Sequence, residues 1–341
     1  MKLAKNSEFL RLAIAGIFIV ALTFLLRSFA SGTTAAPDFK PGNAGPEVLI
    51  EILPGETGSE IGSKLETLDV VKSSLAFFRV AVADERSGRI APGEHSVQTR
   101  LSAQEALNQL LDPARMPNLI VVRDGERLSE IQESITKFGP SLSEVRKAFA
   151  NQPAPSGFES KSLEGFLYPA QYSFNKGVSA DQIVRAMIDK FVSTTKDLSW
   201  KSKDFSPHDL LTIASLVQTE GRPDDFGNVA RVIYNRIEKG MPLQFDSTVH
   251  YALNRRGEIR VSIADTKINH PYNTFIYRGL PPGPIGSPTR AAIEATLNPP
   301  VGDWLYFVTV TPKETRFTSS YEEFLTWKAE YKRNFKAGLF E

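Results

Sequence analysis

The segment GLPPGPIGSP, from Gly279 to Pro288, constrains the fold more than any other stretch of this chain. Pro281, Pro282, Pro284 and Pro288 carry no amide donor, and Gly279, Gly283 and Gly286 favour turns that bulkier residues resist. Neither a helix nor an interior strand can run through it. The segment reads as a stiff loop, which either lets a polymer pass close to the backbone or lies as a rigid lid over the core. Before it, helical spacing covers Asp181 to Thr195, Pro207 to Glu220 and Phe226 to Lys239. After it come a helix near Thr289 to Leu297, a strand from Trp304 to Val310 and a terminal amphipathic helix from Ser320 to about Phe335. Helices and strands are interspersed without regular βαβ alternation, which predicts the α+β class.

The front half carries an internal echo. VLIEIL at Val48 to Leu53 and LIVV at Leu119 to Val122 read as strands, each followed by a Gly turn and a helical pattern. The heptapeptides GETGSEI (Gly55 to Ile61) and GERLSEI (Gly125 to Ile131) agree at five of seven positions, with a fainter third copy in GVSADQI, Gly177 to Ile183. Local capping chemistry alone can produce such a repeat, because a turn, a cap and an apolar-faced helix need the same residues each time. Ser74 to Ala83 and Ser102 to Leu111 also read as helices. LEGFLYPAQYSF, Leu163 to Phe174, reads as an aromatic wall or hinge, and Asn151 to Gly157 as the seam between the halves.

The N-terminus fixes the expected compartment. Lys2, Lys5 and Arg11 precede an apolar run from Leu12 to Leu26 that Arg27 closes, followed by a Pro- and small-residue-rich stalk. This pattern predicts a cytoplasmic tail at 1–11, a membrane anchor at 12–27, a flexible stalk at 28–46, and everything beyond on the outer side. A cleaved signal peptide is the rival reading, since small residues stand at Ser28-Phe29-Ala30 and Thr34-Ala35-Ala36; the long lead carrying acidic Glu8 favours the anchor. The absence of cysteine rules out disulfides and thiolate chemistry, and export without disulfides fits a bacterial envelope. A net charge of +1 with no basic helical face argues against a nucleic-acid partner.

Glu220 is the leading candidate for chemistry. Ile213, Leu216 and Val217 form one stripe of the helix from His208, and helical spacing carries that stripe onto Glu220. A carboxyl in apolar surroundings holds its proton to higher pH, as a general acid needs. The structural alternative is a helix-end acid paired with Arg222 or Arg236. Nearby polar residues are dense: Tyr234, Asn235 and Arg236, then Gln244, Asp246, Ser247 and Thr248, with Tyr251, Tyr272 and Phe275 as candidate stacking partners for sugars. Asp224, Asp225 and Asp246 offer a second carboxylate, although Asp224 and Asp225 read more simply as a turn and N-cap. The four histidines show no metal-binding spacing, and neither G-x-S-x-G nor a phosphate-binding glycine loop occurs.

ASLVQTEG (Ala214 to Gly221), ARVIYNRIEKGMPLQFDSTVHYAL (Ala230 to Leu253), YNTFIYRGLPPGPIGSP (Tyr272 to Pro288) and LYFV (Leu305 to Val308) together resemble the YceG-like endolytic murein transglycosylases, the MltG family. The likeness extends through LEGFLYPAQYSF and more loosely to the repeat at Gly55. It implies a membrane-anchored protein with a LysM-like α/β subdomain at 47–150 and a mixed α+β catalytic domain at 158–338. It also implies cleavage within peptidoglycan glycan strands, with Glu220 as the catalytic acid. Cleavage between N-acetylmuramic acid and N-acetylglucosamine, with capture by the muramic C6 hydroxyl, would leave 1,6-anhydro ends and need no metal or cofactor. Gln244, Asp246, Ser247, Thr248, Tyr272, Asn273 and Thr274 are then the candidates for holding sugars. Penicillin-binding synthases are the implied partners. A non-catalytic glycan-binding scaffold, and a hydrolytic muramidase using Asp246 or Asp225, are the alternatives. The chain departs from the family pattern at Gly221, at Pro169-Ala170-Gln171-Tyr172 and at Arg316, which stands where a His is common.

Overall fold

The computed structural model describes residues 36–53, 55–174, 177–256 and 261–340, and these form two compact units that divide between Pro117 and Asn118. The expected anchor at 12–27 and residues 28–35 of the stalk lie outside the described residues, while the rest of the stalk is held to the first unit, where Asp38 accepts from the Ala103 amide and the Gly45 amide donates to the Thr99 carbonyl. Among the described residues, no helix is long and apolar enough to cross a membrane.

The first unit is small. Strand β1 (Glu47–Ile52) pairs antiparallel with β2 (Gly93–Gln98), Glu47 opposite Gln98 and Ile52 opposite Gly93. Helices α1 (Gly58–Thr67) and α2 (Ser74–Ala83) lie between them in sequence, and α3 (Ala103–Leu110) follows. The strand period of two turns Ile50 and Ile52 inward, where they meet Ile61, Leu65, Phe77, Val97 and Leu107 in one core.

The second unit opens on the same order. Strand β3 (Leu119–Val122) pairs antiparallel with β4 (Ala170–Ser173), with α4 (Leu128–Phe138) and α5 (Leu142–Asn151) between them. Their core joins Ile120, Val122, Ile131, Ile135 and Val145 to Leu167 and to Ile183 of α6 (Ala180–Thr195). The division therefore falls ahead of β3, not at Asn151–Gly157, and residues 118–150 belong with the rear of the chain. The reason is pairing: β3 takes its partner from LEGFLYPAQYSF, which supplies a strand as well as buried Phe166 and Leu167.

Shared residues of the two heptapeptides do the same local work. Gly55 and Gly125 turn with φ of +85° and +69°. Glu56 accepts from the Leu53 amide and Glu126 from the Arg123 amide; Glu60 accepts from the Thr57 amide and Glu130 from the Arg127 amide. Ile61 and Ile131 are the first core residues of their helices. The repeat thus marks two β-α-α-β pieces, and its matching Gly, Glu and Ile positions are turns, caps and core anchors, while the shared Ser59 and Ser129 are exposed. GVSADQI caps α6 through Ser179 and Gln182 without a second such piece.

The rest of the second unit surrounds α7 (Pro207–Glu220), which Ser206 and Asp209 cap reciprocally. Leu210 to Val217 are all buried, so α7 is a core helix covered on every side. Around it pack α8 (Phe226–Glu238), the short α9 (Asp246–Ala252) and α10 (Arg290–Leu297). A hairpin of β5 (Tyr306–Thr311) and β6 (Glu314–Thr318) follows, with α11 (Tyr321–Lys336) against it.

The Pro/Gly ribbon is a fixture of this core. The Ile285 amide donates to Ser215 Oγ of α7. The Gly125 amide donates to the Ser287 carbonyl, and the Ser287 amide to that of Glu126. A Cβ on Gly286 would stand 2.5 Å from the Gly125 carbonyl oxygen, so only glycine permits this approach. Of the two readings of the loop, the rigid cover over the core is the one the packing supports.

Candidate active site

Glu220 is the last residue of α7, where Gly221 leaves the helix in an extended conformation. The side chain keeps some accessible surface, while its carboxyl sits in dense protein surroundings. Burial is the largest influence on it, and the neighbouring Asp246 charge adds to the effect; together they push its pKa from an ordinary 4.5 up to about 7. Hydrogen bonds from Ser247 and the Arg236 charge act in the opposite direction. Ser247 Oγ donates to Glu220 Oε1.

The loop before α9 is what brings Ser247 there. Gln244 has a φ of +54°, a left-handed conformation uncommon for a residue with a side chain, and its amide bonds to the Thr274 carbonyl. Thr274 Oγ1 accepts from the Phe245 amide and meets Thr248 Oγ1 at 2.9 Å. Asn273 donates to the carbonyls of Thr266 and Ile268 and accepts from the Phe275 amide. Thr248, Asn273 and Thr274 are 0–1% exposed, so they brace the loop from behind and offer no surface to a sugar. Residue type alone makes them candidates for ligand contact; the irregular backbone here uses up their polar groups instead.

Gln244, Asp246 and Phe275 line, with Glu220, an open groove of about 860 Å³. The remaining lining comes chiefly from β5 and α11, including Tyr306, Tyr321 and Phe324. Those residues lie more than eighty positions beyond Glu220 and carry no local motif pointing to it. Tyr272 and Tyr251 pack ring to ring at 4.7 Å, with the Tyr272 hydroxyl near Gly283.

The polar cluster on α8 is structural. Tyr234 donates to the Thr296 carbonyl, Asn235 to those of Gly302 and Trp304, and Arg236 to those of Leu305 and Leu243. These bonds hold the approach to β5 beside Glu220. Arg222 pairs with Asp225 at 3.0 Å, which leaves the buried Asp225 engaged and away from the role of second carboxylate.

A second proton-holding carboxyl escapes a reading of the sequence. Glu164 is 5% exposed; burial is the largest influence on it and pushes its pKa up to about 7. One oxygen accepts from the Leu128 amide and the other from the Tyr251 hydroxyl, both at 2.9 Å. An acid inside the apolar run Leu163 to Leu167 is the available signal. Gly165 beside it has a φ of +87°, and a Cβ there would meet Pro284 at 2.9 Å.

Fold and site together define an α+β protein built around one accessible carboxyl that keeps its proton to neutral pH beside an aromatic groove. The chain belongs to the YceG-like family, whose model matches residues 50–330. It is 34% identical over 307 residues to the endolytic murein transglycosylase of Bacillus subtilis, covering 83% of this chain and 84% of that protein. It is 30% identical over 322 residues to the endolytic murein transglycosylase of Streptococcus pneumoniae, covering 82% of this chain but 58% of that longer protein. The crystal structure of a YceG-like protein from Listeria monocytogenes superposes with a TM-score of 0.56 at 26% identity, over 83% of this chain and 99% of that one.

Proposed function

We propose that this protein is an endolytic murein transglycosylase in which Glu220 serves first as general acid and then as general base. The observation that carries the reading is the Glu220 carboxyl itself, with a pKa of about 7 and open to a groove lined by aromatic rings. In its protonated form it donates to the glycosidic oxygen between N-acetylmuramic acid and N-acetylglucosamine, and the C1–O bond breaks. The muramic C6 hydroxyl then bonds to C1, and the Glu220 carboxylate removes that hydroxyl's proton. The acid is regenerated, no water is consumed, and the product ends in a 1,6-anhydro sugar. Ser247, bonded to Glu220 Oε1, steadies the carboxylate form between the two transfers. Gln244 and Asp246 are the polar candidates for contact with the strand.

Residues 12–27 would anchor the chain in the plasma membrane and hold the catalytic unit outside, where nascent strands emerge. The unit at 47–117 would be LysM-like; its β-α-α-β order and a groove of about 510 Å³ past Ile52, Ile61 and Phe78 support that reading. Synthases of the penicillin-binding class are the partners such placement suggests.

One observation favours a second chemistry: Asp246 lines the same groove and its charge acts on Glu220, as a hydrolytic partner carboxylate would. Digestion of purified murein strands followed by mass spectrometry separates the two, since anhydro ends are lighter by one water than reducing ends. Anhydro ends from the full chain and none from Glu220→Gln are expected. Reducing ends would establish the muramidase instead, and anhydro product from the Gln variant would remove Glu220 from the mechanism.

A further inference from the structure

The groove continues from Glu220 onto three rings that no catalytic step uses. Tyr306 and Phe324 lie 5.1 Å apart with 30° between their planes, Phe324 and Tyr321 5.8 Å apart with 27°, and Tyr306 and Tyr321 5.5 Å apart with 53°, so the three rings form one curved cluster. The core of the same unit arranges its aromatics differently: Phe158 meets Phe166, Phe191 and Trp200 edge-on, at 72–80°. Edge-on contacts fill volume in a closed core, whereas these three mutually adjacent rings make one continuous aromatic surface along the groove. This face is also unpacked. Tyr321 is 58% exposed, and α11 has no buried residue along its length. Two of the rings carry a cation over one face, the Arg236 guanidinium 5.3 Å from the Tyr306 ring centre and the Lys328 ammonium 5.4 Å from that of Phe324, while Tyr321 is the most exposed of the three.

A pyranose ring in its chair form has a face of axial C–H groups bearing partial positive charge and a rim of hydroxyl and acetamido groups. The C–H face complements the negative face of an aromatic ring, while the rim stays in water. A multi-ring surface, exposed at Tyr321 and half-buried at Tyr306 and Phe324, that is continuous with a glycosidic-bond acid matches that shape better than it matches a protein or lipid contact, for which the groove would need deeper apolar burial. We propose that Tyr306, Tyr321 and Phe324 form a stacking subsite for acetamido-sugar rings of a glycan strand whose scissile bond lies at Glu220. This inference rests on the reading of Glu220 as the acid. It makes affinity depend on strand length: only a strand long enough to reach the platform from Glu220 gains the stacking contacts.

The test uses the full chain carrying Glu220→Gln, so that strands bind without turnover, and measures affinity for uncrosslinked murein glycans of two and of eight sugars by calorimetry. Adding Tyr321→Ala and Phe324→Ala should weaken the eight-sugar strand roughly tenfold and leave the disaccharide within about twofold. Tyr321→Phe, which keeps the ring, should bind like its parent. Tyr321→Ala alone removes a largely exposed side chain and should keep the parent melting temperature, which separates lost stacking from lost folding. Unchanged eight-sugar affinity in the Ala variants, equal loss at both lengths, or a Phe variant as weak as Ala would each overturn the subsite while leaving the acid in place. If the Glu220→Gln parent binds neither strand, the subsite falls together with the reading it rests on.

Discussion

Glu220 and Glu164 are two carboxyls of one unit that reach the same pKa of about 7 by the same dominant cause, burial, in opposite settings. Glu220 faces a groove and shares one hydroxyl contact with Ser247. Glu164 is sealed, with one oxygen on a backbone amide and the other on Tyr251, whose ring lies under the Arg127 guanidinium at 5.2 Å. A raised pKa therefore does not distinguish an acid that works from one that only packs. Access does, together with an environment that tolerates both protonation states.

The two carboxyls should differ most in their effect on activity. Glu220→Gln should lower strand cleavage by about a thousandfold or more, because donor and acceptor are one group. Glu164→Gln, which keeps a polar group of the same shape, should stay within about threefold of the parent in the same mass-spectrometric assay. Comparable losses from both would erase the distinction.

Stability should reverse the ranking. Glu164→Ala leaves the Leu128 amide and the Tyr251 hydroxyl unpaired in a buried site and should cost roughly 2–4 kcal/mol in denaturant unfolding. Glu220→Gln removes a carboxyl that folding makes harder to ionise. Both folded pKa values lie above the ordinary 4.5, so between pH 4.5 and 7 the native state keeps protons that the unfolded chain has released. Stability contributed this way is full below pH 4.5, declines through that window and is flat above 7. Relative to the parent, Glu220→Gln should accordingly be neutral at pH 4 and more stable at pH 8, by on the order of 1–3 kcal/mol. A Gln variant that is less stable at pH 8 would count against the raised value.

A smaller loss than that of Glu220→Gln is expected at Ser247. Ser247→Ala removes a bond that favours the carboxylate, so the Glu220 pKa should rise further, and turnover should drop about tenfold with its alkaline limb displaced upward. An unmoved limb would detach Ser247 from the acid.

Much of this is readable in the chain. The helices around Glu220, the repeated turn-and-cap at Gly55 and Gly125, and the acid at the end of an apolar helix all follow from contacts within a few residues. What the sequence hides is direction and distance. Asn235, Arg236, Asn273 and Thr274 are residues suited to binding sugar, but each faces an irregular segment whose backbone groups need partners. β4 follows Pro169 and exists as a strand because β3 requires a partner some fifty residues away. Helix α9 has only seven residues and includes β-branched Thr248 and Val249, too short and too stiff for a clear helical period. Asn151 to Gly157 has the composition of a linker yet is not the seam, because the second β-α-α-β piece closes only after it. The aromatic side of the groove comes from a hairpin and a terminal helix whose proximity to Glu220 is purely tertiary.

Carbon-13 NMR titration of the side-chain carboxyls in the full chain, assigned with the Glu220→Gln and Glu164→Gln variants, tests the account most directly. The Glu220 signal should titrate with a midpoint near 7 and shift when murein strands are added, while the Glu164 signal should titrate near 7 and remain where it was. A Glu220 midpoint near 4.5, or a strand-induced shift at Glu164 alone, would contradict the assignment of Glu220 as the group that gives and retrieves the proton.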